Sequence, residues 1–101
     1  MIAKHPKTLL VIVAEAVLEK NLVRDVRERG AQGWMVSEVH GAGREGVREG
    51  AWEADRTIEL KVICDESVAD AIAEHVLQTY APNYSVAMYF SPVSVLRPER
   101  F

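Results

Sequence analysis

The densest chemistry of the chain lies in Val36-Ser37-Glu38-Val39-His40-Gly41-Ala42-Gly43-Arg44-Glu45-Gly46-Val47-Arg48. The stretch begins as a strand and ends as a glycine-rich loop carrying Arg44 and Arg48. Glycine has no Cβ, so it lets a backbone approach a ligand closely. Successive free N–H groups in such a loop form a nest for anions. Arginine adds a planar fork that matches phosphate or carboxylate. Gly41, Gly43 and Gly46 also spell G-x-G-x-x-G, but the dinucleotide fingerprint needs a helix to begin inside the glycine turn. Val47, Arg48, Glu49, Gly50 and Ala51 follow instead, with a further glycine too soon and no apolar stripe. The segment reads as an anion-binding loop; the plainer alternative is a solvated hairpin loop.

Other reactive side chains are dispersed. His5, His40 and His75 have no ligand spacing, and no serine or cysteine has a recognisable base partner. Ser37 is a strand side chain close to the glycine loop. Glu45, Glu49, Glu53 and Asp55 form a carboxylate cluster in the loop, which reads as a solvated face rather than a metal site. Cys64 is the single cysteine, so there is no internal disulfide and no metal–thiolate cluster. No catalytic residue and no metal ligand is predicted.

These residues need a scaffold. Thr8–Ala14 is apolar and β-branched, a buried central strand. Glu15–Arg29 reads as a helix with Leu18, Leu22 and Val26 inward, Glu19, Arg24, Asp25 and Glu28 toward water, and Gly30 as its stop. Trp34–His40 is a second strand, and residues 41–56 form a long polar loop. Thr57–Cys64 alternates, with Ile58, Leu60 and Val62 on one side and Glu59 and Lys61 on the other. Asp65-Glu66-Ser67 opens a helix through Tyr80, with Val68, Ile72 and Val76 on its inner stripe. Ser85–Ser91 is a fourth strand closed by Pro92, and Val93–Leu96 forms a short edge strand.

The order βαββαβ predicts an α+β, ferredoxin-like fold: a four-stranded antiparallel sheet with two helices on one face. Trp34, Val36, Tyr89 and the valines of the first strand exceed what one helical layer covers, which predicts a subunit interface on the bare face. The chain has 101 residues, 49% of them hydrophobic, so it forms one small domain with a real core. A formal charge of −3 argues against nucleic acid as a partner. The apolar run Leu9–Val13 is too short for a signal core or a membrane span, and a cytoplasmic location is expected.

Two enzyme-like or binding alternatives share this strand order. An RNA-binding domain would need stacking aromatics on the third strand, and Ile58–Cys64 has none. An acylphosphatase-type enzyme would need a phosphate loop after the first strand, where Glu15 and Ala16 stand.

Gly33-Trp34-Met35-Val36-Ser37-Glu38-Val39-His40-Gly41-Ala42-Gly43-Arg44 resembles the segment of PII signalling proteins that leads into their T-loop. With Leu10–Glu15, Gly30–Trp34, Val47-Arg48 and Tyr84–Leu96, the chain is similar over nearly its whole length to the PII-like SbtB and carboxysome-associated PII group. The resemblance implies one PII-like domain over residues 1–101, with a T-loop at about 41–56 and a B-loop at about 82–87. It implies a homotrimer without catalytic activity that binds adenine nucleotide (ADP or AMP) between subunits, with bicarbonate as a second effector.

The nucleotide site implied by the resemblance comprises Ser37, Gly41, Ala42, Gly43, Arg44, Arg48, Arg56, Val86, Ala87 and Arg97. Gly43 and Arg44 would also meet bicarbonate. The implied target is a bicarbonate transporter or a carboxysome-related protein. Alternatives are a cyclic-AMP-responsive regulator of such a transporter, a small ferredoxin-like enzyme, or a trimeric metal-binding protein of the CutA type. Residues 41–57 contain no tyrosine for uridylylation, the B-loop has no lysine for a triphosphate, and the tail Arg97–Phe101 has no cysteine pair.

Overall fold

Alternation of apolar residues sets the sheet. The computed structural model describes residues 1–43, 46–48 and 56–101, with the backbone alone at 41–43 and 46–48. Strands β1 (His5–Glu15), β2 (Met35–Val39), β5 (Thr57–Cys64) and β6 (Val86–Val95) form one antiparallel sheet in the order β2-β5-β1-β6. Strands β3 (Gly41–Gly43) and β4 (Gly46–Arg48) pair as a separate ribbon. Leu10, Ile12 and Ala14 of β1 and Ile58, Leu60 and Val62 of β5 face the helices and are fully buried. Helices α1 (Glu19–Glu28) and α2 (Glu66–Thr79) lay Leu22, Val26, Ala69, Ile72 and Val76 on that face. The ferredoxin-like prediction therefore holds.

Several boundaries differ, each for a physical reason. β1 starts at His5 because β6 runs past Pro92 to Val95 and supplies it a partner. Pro92 does not close the strand, because β6 lies at the edge of the sheet, where a missing N–H need not break a ladder bond. Glu15 stays extended and pairs with Thr57, so the helical path begins with a 3-10 turn at Ala16–Leu18 and α1 starts only at Glu19. α1 ends as predicted at Gly30, whose φ of 109° lets the Ala31 N–H return to the Val26 carbonyl at 3.0 Å. Part of the expected irregular loop is the β3–β4 ribbon.

Asp25 is not at the surface. It is 3% exposed, between the two helices. Arg24 Nε and Nη2 donate to its Oδ1 at 3.2 and 3.1 Å, and the Tyr80 hydroxyl donates to its Oδ2. His75 Nε2 lies 3.0 Å from the same Oδ2. Arg29 Nη2 donates to His75 Nδ1 at 2.8 Å, which puts the ring proton of neutral His75 on Nε2, toward Asp25. Burial by itself would raise the Asp25 pKa, but the bonds from Tyr80, His75 and Arg24 outweigh it and hold the carboxyl below its ordinary range. Burial, then the bond to Asp25, pushes the Tyr80 hydroxyl up. Cys64 is buried as a packing residue, and burial raises its thiol pKa.

The second face of the sheet is open. Leu9, Val11 and Val13, Lys61 and Ile63, Met35, and Ala87 and Tyr89 share it by strand alternation. Trp34 and Val36 do not contribute as predicted: both pack against the helix-side core. Trp34 also carries the Arg27 guanidinium 5.7 Å from its ring centroid.

Candidate functional site

Antiparallel pairing brings four chain segments to one end of the sheet. Val39 of β2 and Glu15 of β1 both pair with Thr57, and Ala14 pairs with Val86. The Ala16 N–H donates to the Arg56 carbonyl at 2.9 Å, and the Ser85 N–H donates to Glu15 Oε2 at 2.7 Å. The Glu15 carboxylate thus anchors the turn that leads into β6. The Arg56 guanidinium pairs with the Glu38 carboxylate. Thr57 is 4% exposed, and its hydroxyl has no hydrogen-bond partner among the described residues.

Most of the predicted site residues meet at this end. Ser37 is exposed on the open face, opposite Glu59. Gly41, Ala42 and Gly43 follow β2 directly and pair with Arg48, Val47 and Gly46. They form an extended ribbon rather than the open nest read from the sequence, so the N–H groups left for an anion are those on its outer edges. Val86 is half-buried against the core, and Ala87 is exposed beside Val13 on the open face. Arg44 lies outside the described residues, as do Glu45, Glu49, Glu53, Asp55 and the side chain of Arg48.

Arg97 does not join them within one chain. It follows β6 at the opposite end of the sheet, where Val95 pairs with His5, and its Nε lies 3.5 Å from Glu99 Oε1. A ten-residue strand spans about 30 Å. Only a second copy of the chain could bring Arg97 to the glycine ribbon.

A feature missed by the sequence reading lies further along the open face. A cavity of about 570 Å³ is bordered by the apolar residues Leu9, Met35 and Ile63, by Trp34 and Phe101, and by the charged residues Lys61, Glu99 and Arg100. Met35, Ser37, Val39 and Gly41 share one parity, so Ser37 stands between this cavity and the glycine ribbon. The arrangement offers an apolar seat for a planar group, with hydrogen-bonding backbone for an anion beyond it. The cross-strand pairing of Leu9 with Ile63 was readable in principle from alternation. The arrival of Phe101 was not, because the residues before it are polar.

Residues 7–100 match the family described as nitrogen regulatory protein P-II. Among solved structures, a PII-like signalling protein from Thermus thermophilus is 36% identical, with a TM-score of 0.85 and 99% of each chain covered. CPII from Thiomonas intermedia K12, solved with ADP and bicarbonate, is 22% identical, with a TM-score of 0.89 over 100% of this chain and 99% of that one. CPII bound to ADP, AMP and bicarbonate has a TM-score of 0.88 at 22% identity, covering 100% of this chain and 98% of the other.

Proposed function

Because the chain belongs to the nitrogen regulatory protein P-II family, we propose that it is a non-catalytic sensor that binds ADP or AMP between the subunits of a homotrimer. Bicarbonate is its second effector, and its output reports energy and inorganic-carbon status to a bicarbonate-uptake or carboxysome system. One observation carries the reading: the glycine ribbon directly continues β2 from the cavity on the open face, with Ser37 between the two. The base sits in the cavity, and the phosphates run past Ser37 toward Gly41, Ala42 and Gly43. Arg44 and Arg48 pair with the phosphates, and Val86, Ala87 and Arg97 come from the neighbouring copy. Arg56 assists by exchanging Glu38 for a phosphate. The solved CPII structures support the ligand assignment, since ADP, AMP and bicarbonate are bound there.

A thermal-shift screen tests the function. ADP, AMP, cyclic AMP and ATP are compared, each with and without bicarbonate at constant pH and ionic strength. A ligand selective for the folded state raises Tm by mass action. ADP or AMP is expected to give the largest shift, increased further by bicarbonate through a coupling of roughly 1–3 kcal/mol. No bicarbonate shift beyond chloride removes the carbon-sensing role, and a dominant response to cyclic AMP favours the transporter regulator instead.

Arg48→Ala addresses the phosphate end. A charge-assisted bond contributes roughly 1.5–3 kcal/mol, so ADP affinity should fall at least about tenfold in calorimetry. An unchanged affinity takes Arg48 out of the site.

A further inference from the structure

The C-terminal residues lie in an unexpected place. After β6 the chain turns at Pro98–Arg100, with Arg100 N–H to the Arg97 carbonyl at 3.0 Å and Phe101 N–H to the Pro98 carbonyl at 3.1 Å. This turn sends Phe101 from one edge strand across the open face to the cavity formed by β1, β5 and the segment before β2. Phe101 is half-buried, whereas Leu96, Arg97, Glu99 and Arg100 are exposed.

Phe101 also lines a second, shallower hollow of about 420 Å³ with Val95, Leu96 and Arg97. In the single chain the residue therefore borders open space on two sides. A close-packed interior side chain borders none.

We propose that Phe101 is an aromatic lid that closes on the planar base of a nucleotide seated in the cavity, stacking on it opposite the apolar wall of Leu9 and Ile63. The proposal rests on the nucleotide reading above. Stacking depends on a π face with its quadrupole, which an aliphatic side chain of similar bulk lacks. The lid thereby selects a heteroaromatic base over a non-aromatic anion that needs only the glycine ribbon.

Calorimetric ADP titration of the full chain and four variants tests it. Phe101→Ala and Phe101→Leu should both weaken ADP binding, by about tenfold for alanine, while Phe101→Tyr and Phe101→Trp should stay within about threefold of the wild type. Melting temperatures of the ligand-free proteins should be nearly equal, because the residue is outside the core. Full affinity in the leucine variant overturns stacking, since apolar bulk alone would then suffice. Tighter binding by the alanine variant overturns the lid as well, because the ring would then be an obstruction. Unchanged binding in all four variants removes Phe101 from the site while the nucleotide reading stands. Failure of the wild type to bind ADP defeats that reading and the lid with it.

Discussion

Replacing Asp25 by alanine is expected to lower the stability of the folded chain by about 3 kcal/mol, the lower end for breaking a buried ion pair. The substitution leaves the Tyr80 hydroxyl without its acceptor and His75 Nε2 without its carboxylate, in the seam between α1 and α2. Arg24 is more than half exposed and can turn to water, which keeps the loss from being larger. For a domain of this length the loss corresponds to roughly 12–24 °C in Tm at fixed protein concentration. Tyr80→Phe should cost less, about 1–2 kcal/mol, since the carboxylate keeps two other partners.

The pH dependence has a defined sign. The folded-state pKa of Asp25 is lowered, so its contribution is fully present above the unfolded carboxylate value and is lost as pH falls through the folded value. The stability gap between wild type and Asp25→Asn should be constant above about pH 5 and narrow below about pH 4. A gap that widens on acidification would show that the carboxylate is not held by these partners.

If the chain forms the proposed trimer with ADP between its subunits, Tyr89→Glu should convert it to a monomer and abolish ADP binding together with assembly. Tyr89 is 54% exposed in the single chain and Met35 is 70% exposed, so a charge at position 89 disturbs the isolated fold little. In an assembly that buries the open face, the same carboxylate would be desolvated among Val11, Val13 and Ala87 without a partner, a penalty of several kcal/mol per copy. Light scattering at micromolar protein reads the mass, and calorimetry reads the ligand. A wild type that is a monodisperse monomer, or a variant that remains trimeric, would rule out this face as the interface and the site between subunits with it.

The sheet was legible because burial on one face imposes strict alternation. Ile58, Leu60 and Val62 could be assigned inward from β5 alone, and all three are fully buried. Asp25 was misread for a related reason. A charged residue between periodic apolar positions looks solvated, and its partners Tyr80 and His75 lie more than forty positions away. Trp34 was misread because a residue just before a strand is not bound by the strand's alternation, and it turned to the core beneath Arg27. Of the candidate site, local pattern pointed to the glycine segment, whereas the start of β6 came only from the family resemblance. The cavity escaped it, since Phe101 reaches Leu9 and Ile63 only through tertiary structure.

Pro92 has a consequence for how copies of the sheet can join. A sheet of four strands has two rims, here β2 and β6. Met35–Val39 presents a rim with every amide intact, whereas the β6 rim is interrupted by an imide nitrogen. Linear growth, one molecule after another, needs each newcomer to offer a second competent rim to the next. A molecule with one whole rim and one broken rim adds a partner and then stops. The proline thus biases the chain toward finite assemblies and away from fibres.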